Sequence, residues 1–209
     1  TTFPFNKASQ TTVAGAYVSL WDALGQPQGS LTIGNTTTGV IPTDATAGAF
    51  PFTNSNTTYL ARASAGSSSV GTLILYDRLH HSGNYTSVNG NINTTDMTAI
   101  DRDSTGEGVE VWAEIATALS ATATTITLTY TNQAGTGSKT ATATLLSSSI
   151  IRRMYPFVLA SGDTGVRSIE NIAGSAAPTG TFNVVMLRRL TEIPLSIASV
   201  VAVQNFAMT

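Results

Sequence analysis

"TATTITLTYTNQAGTGSKTATATLL", residues Thr122 to Leu146, decides the fold class. Threonine recurs at every second position on both sides of "NQAGTG". A period of two is the side-chain period of a β-strand, not of a helix. The Gly-rich break between the runs is a turn signal, so the stretch reads as a hairpin with one Thr face.

The same period extends in both directions. "GVEVWAEIATAL" (Gly108–Leu119) sets Val109, Val111, Ala113 and Ile115 against Glu110, Trp112 and Glu114. Alternation that clean favours strand over helix despite the Ala and Glu content. Before it, "SVGTLILYDRL" (Ser69–Leu79) reads as a strand preceded by the turn "AGSSS", with "TTYLARASA" (Thr57–Ala65) and "TVAGAYVSLWD" (Thr12–Asp22) further upstream. After it come "RRMYPFVLA" (Arg152–Ala160), "GVRSIENIA" (Gly165–Ala173), "GTFNVVMLRRLTEI" (Gly180–Ile193) and an apolar tail, "PLSIASVVAVQNF". Eight to ten short strands with turns between them, and no amphipathic helix, predict an all-β chain. The expected architecture is an antiparallel β-sandwich or jelly roll. Residues 82–108 are rich in Asn, Thr and Gly and are expected to form a long, exposed inserted loop. The expected organisation is an extended N-terminal arm over residues 1–10 and a single sandwich domain over 11–209.

Composition narrows the function classes. Only 11% of the 209 residues are charged, against about 25% in an average globular chain. A net charge of −2 gives no global attraction to nucleic acid or to an anionic membrane. The absence of cysteine excludes disulfides, thiolate zinc sites and a cysteine nucleophile. The first ten residues lack the charged and apolar regions of a signal peptide. A chain with this little charge has few repulsive groups to keep it apart from other molecules, which points to an assembly.

Candidate chemistry starts at "LYDRLHHSG" (Leu75–Gly83), which holds both histidines. On a regular strand Leu75, Asp77, Leu79 and His81 share one face, and Tyr76, Arg78 and His80 the other. His80 and His81 then cannot converge on one ion, and a metal site would need carboxylates such as Asp96, Asp101 or Asp103. The favoured reading places the histidines at the end of a strand that hands over at Ser82–Gly83 to a loop used for contact. Glu110 and Glu114 flank Trp112 on one strand face and are the best carboxylate pair for a glycosidase, but an exposed strand face explains them better. "GSKT" (Gly137–Thr140) lacks the upstream glycines of a phosphate-binding loop, and the Asp-rich "TTDMTAIDRDSTGEG" does not fit an EF-hand. Glycosylation sequons at Asn35, Asn56, Asn84 and Asn93 arise by chance in a Thr-rich chain. No catalytic residue, metal or cofactor is assigned. The pairs Arg152–Arg153 and Arg188–Arg189 have apolar and aromatic neighbours, which is interface composition; salt bridging within the chain explains them equally well.

"YVSLWDALGQPQG", "LYDRLHHSGNY", "GVEVWAEIATAL", "TATTITLTYTNQAGTGSKTA" and "VVMLRRLTEIPL" together resemble small β-rich accessory proteins encoded among the structural genes of tailed phages. The resemblance implies a virion role: a cement or decoration protein on the outside of an icosahedral head, made in the host cytoplasm. Its implied partners are the major capsid protein and two further copies of itself in a homotrimer. Phe3, Phe5 and Lys7 of the arm, with Arg152, Arg153, Arg188 and Arg189, are the expected contact residues. A receptor- or glycan-binding module of a tail or spike is the alternative, since aromatic rings beside polar loops suit sugars.

Overall fold

A computed structural model describes residues 2–32, 37–50, 61–95, 97 and 104–205. Thirteen strands are present among them: β1 (Asn6–Lys7), β2 (Tyr17–Val18), β3 (Gly25–Gln26), β4 (Arg62–Ala65), β5 (Gly71–Tyr85), β6 (Gly90–Asn93), β7 (Val109–Thr117), β8 (Thr124–Asn132), β9 (Lys139–Leu145), β10 (Arg153–Pro156), β11 (Val166–Gly174), β12 (Thr181–Leu195) and β13 (Ala202–Asn205). One sheet has the order β2-β10-β7-β12-β5 and a second the order β6-β11-β8-β9, and every pairing in both is antiparallel. The expected antiparallel sandwich is therefore observed. Its pairings are nested: β8 with β9, β7 with β10, β6 with β11, and β5 with β12. That nesting is a long hairpin rolled up on itself, the connectivity of a jelly roll.

The opening hairpin supplies one wall of the core. β8 and β9 pair from Thr124↔Leu145 to Tyr130↔Lys139, and Ile126, Leu128, Tyr130, Ala141, Ala143 and Leu145 all point inward and are buried. Their threonine neighbours stay on the outer face; Thr140, Thr142 and Thr144 are exposed. Val109, Val111, Ala113 and Ile115 of β7, with Phe182, Val184 and Met186 of β12, form the facing wall. Each Val, Leu, Ile, Phe or Met among them contributes about 1.5–3 kcal/mol on burial. Tyr130 brings a polar group into that layer. Its hydroxyl is satisfied, donating to Asp163 at 2.6 Å and accepting from the Ala160 amide at 3.0 Å.

Two expectations are corrected. The strand foreseen over Thr12–Asp22 reduces to Tyr17–Val18, which pairs with β10 at the sheet edge. A turn around Gly15, whose φ is +75°, precedes it, and a second turn closes between Leu20 and Ala23. The long insertion begins later than expected. β5 continues through Tyr85, and Gly90–Asn93 adds β6 to the second sheet. Ser82, Tyr85, Ser87 and Asn93 are buried, so only the stretch after β6 remains as the long connection, part of it outside the described residues.

The outer face of the β5-containing sheet is covered as well. Residues before β4 lie across it: Trp21 sits over Arg78, the Leu31 carbonyl accepts from Asn183 Nδ2 at 2.8 Å, and Ala23 and Leu31 are buried; at the sheet's edge Val40 exchanges two backbone hydrogen bonds with His81, at 2.7 and 2.9 Å. Gly39 makes this close approach possible. Its φ is +69°, and a Cβ there would stand 2.2 Å from the His80 ring, so a larger residue would push Val40 away from the β5 edge.

Candidate functional site

The covered face holds three of the polar residues that the sequence singled out, Arg78, His81 and Glu114. β5 and β12 slip register between Met186 and Leu187, because Met186 faces His80 while Leu187 faces Arg78. This bulge at Leu79 shifts the phase of the strand. Arg78 and His81 end up on the same, outer face, and the expected partnership of His81 with Asp77 is lost. His80 and His81 do point to opposite sides, as the strand period requires.

Around Arg78 a compact cluster forms. Its guanidinium donates to both Glu114 oxygens at 3.1 Å each, lies 2.9 Å from His81 Nδ1, and sits 4.4 Å from the centre of the Trp21 ring. Glu114 is fully buried. Burial alone would raise its carboxyl pKa, but Arg78 and its hydrogen bonds hold it below the ordinary value. Burial, helped by Arg78, pushes the His81 imidazole down to about 3, so it is neutral. His80 is also shifted down by burial, and its Nε2 contacts the Thr38 carbonyl at 3.0 Å. His80 Nδ1 and His81 Nε2 have no hydrogen-bond partner among the described residues. A guanidinium stacked on Trp21 and chelated by a buried carboxylate ties the cover to the sheet. Chemically the cluster is closed. Among the described residues no three His, Asp or Glu side chains gather where they could hold a metal; Asp96, Asp101 and Asp103 lie outside those residues.

Glu110 and Glu114 do share the outer face of β7, but that face is not the exposed one expected for Glu114. Glu110 accepts from Trp112 Nε1 at 2.9 Å and from the Tyr76 hydroxyl at 3.0 Å, and pairs with Arg189 at 3.3 Å. Tyr76 is pushed up to about 12 by burial and by Glu110.

The expected contact residues lie apart. In the arm, β1 pairs with β3, Phe3 packs on Phe50 with ring centres 5.6 Å apart, and Phe5 is 42% exposed. Lys7 Nζ turns inward, donating to the carbonyls of Trp21, Ala23 and Pro27. The described part of the arm thus folds back on its own chain. Arg152 chelates Asp22 at 2.7 and 3.0 Å and donates to Gln10 at 3.0 Å. These bonds hold it at a φ of +71°, a conformation that costs on the order of 1–3 kcal/mol outside glycine. The Arg153 Nε is buried without a partner among the described residues. Arg188 donates to the Glu107 carbonyl, and Arg189 is shared between Glu110 and Glu192. For Arg152 and Arg189, salt bridging within the chain is what the structure contains.

A surface that the residue-by-residue reading did not single out is more open. Past Arg188↔Val109, β12 leaves β7 and runs on with β5 alone, from Thr191↔Leu75 to Leu195↔Gly71. The β4–β13 pair abuts this ribbon. Val70, Ile197 and Val201 here are 67%, 63% and 64% exposed, and Leu190, Val200 and Val203 are exposed too. No charged residue occurs in 63–76 or 193–205. The signal was present in the sequence as two charge-free stretches, but nothing there paired them.

In comparison with known proteins, the chain matches no protein-family model and no curated protein sequence.

Proposed function

We propose that this chain is a virion structural protein, a cement or decoration protein that binds the outside of a tailed-phage capsid and holds neighbouring capsomers together. The single observation that carries the reading is the charge-poor ribbon, which carries only Glu192 and, at the end of β4, Arg62, with its exposed aliphatic side chains on a well-packed sandwich. A two-stranded ribbon is marginal in water by itself, and contiguous exposed apolar surface marks a site for a protein partner. The resemblance to phage accessory proteins names that partner as the major capsid protein. A homotrimer would present three ribbons at once, so modest contacts would add up through avidity. The closed state of the Arg78–Glu114–His81 cluster fits a protein that works through surfaces rather than through a reaction. Heads assembled with and without the protein, challenged by heat or osmotic shock, test the proposal: cemented heads keep their DNA under conditions that empty bare ones. Equal resistance would refute cementing.

A further inference from the structure

A second feature of the surface lies away from the ribbon tip. A cleft of about 440 Å³ opens where β10 ends beside β7, lined among others by Tyr17, Glu110, Pro156, Asp163, Thr164 and Arg189. Its volume is within the range of small-molecule sites, about 300–1,000 Å³. Tyr17 is 48% exposed and braced edge-on by Trp112, ring centres 4.8 Å apart. Four polar side chains around the cleft are held from behind. Glu110 is fixed by Trp112, Tyr76 and Arg189. Asp163 accepts from Tyr130 at 2.6 Å and Asn132 at 2.7 Å, and those bonds keep its carboxyl below the ordinary pKa. Thr164 donates to Glu107 at 2.9 Å, and Arg189 is spread between Glu110 and Glu192.

We propose that this cleft binds a neutral saccharide. An exposed aromatic ring beside Pro156 offers an apolar face to the C–H face of a pyranose. Anchored carboxylates accept hydroxyl protons, and the half-exposed Arg189 donates to ring or hydroxyl oxygens. Because these groups are already ordered by their own partners, binding a sugar adds little ordering cost. Charge selects within the ligand class. Two carboxylates line the cleft, and its one guanidinium is already shared by two carboxylates, so no uncompensated positive charge is available for an anion. The inference is separate from capsid cementing, and its test does not involve heads.

Saturation-transfer NMR with glucose, galactose, mannose and N-acetylglucosamine, followed by titration of the Trp fluorescence that Trp112 contributes to, is the test. At least one of the four is expected to bind the wild-type protein saturably, and Tyr17→Ala and Arg189→Gln are each expected to weaken it about three- to tenfold. Melting curves establish that the variants fold; Thr164→Val on the loop gives a third, independent reading should either melt early. Absence of transfer from all four sugars at tens of millimolar overturns the proposal. So does binding that none of the folded variants weakens, since the sugar would then sit elsewhere.

Discussion

Arg78 is the residue on which the covered face depends. Its charge has left water, and its compensation comes from Glu114, the Trp21 face and neutral His81. Removing one partner of such a pair leaves an uncompensated buried charge, so Glu114→Gln is expected to cost about 3–5 kcal/mol in urea unfolding. The double variant Arg78→Met/Glu114→Leu should lose clearly less than the two single losses added together. Acid acts on the same place. His81 titrates near 3 when folded and near 6.5 when unfolded. The unfolded chain therefore binds more protons below pH 6.5, and stability falls as pH drops from there toward 3, by on the order of 4 kcal/mol. Glu114, held below its ordinary value, adds a loss in the same direction that begins near the unfolded carboxyl pKa of about 4.3. Midpoints of denaturant unfolding should hold level from pH 7.5 to about 6.5 and decline from there to pH 4, and His81→Asn should flatten that slope. The sequence drew attention to Arg78, His80 and His81 because charge and histidine are rare here. It could not place them, since a one-residue bulge at Leu79 moves Arg78 and His81 onto one face, and no local signal announces it.

Strands follow the rule that residues obey only on average. Where the period of two is sustained, as in β7, β8 and β9, the sequence places the strands closely and picks out the face that lines the core. Burial decides which face matters: Leu128→Ala in the core wall is expected to cost about 2–5 kcal/mol, while Thr127→Ala on the outer face should stay within about 0.5 kcal/mol. The two measurements together check the register. Legibility fails in residues 2–32 and 37–50, because those segments are held mainly by single contacts rather than by a long ladder. Lys7 caps three carbonyls, Trp21 meets Arg78, and Gly39 lets Val40 pair with His81. None of these has a period. The ribbon was half legible: β5 and β12 are strong strands, but their overhang past β7 depends on tertiary register. Lysines placed at Ile197 and Val201, both solvent-facing, are expected to abolish binding to capsids in a co-sedimentation assay while leaving the melting temperature unchanged.

At the scale of the whole molecule, stability rests on the nested sandwich, and the proposed recognition on the surface it leaves open. The core between the sheets and the tied-down cover account for folding, and the surface is left with little charge and an apolar ribbon at one end. The fold class was legible because alternation and turn signals recur along most of the chain; the surface was not, because surfaces are assembled from residues far apart in sequence. Image reconstruction of intact virions that carry this chain tests the central claim most directly. The predicted result is density for the sandwich in many symmetric copies on the outside of the head, with the ribbon of β5, β12, β4 and β13 against the capsid protein. Heads bare of such density, with a few copies at the tail instead, would contradict it.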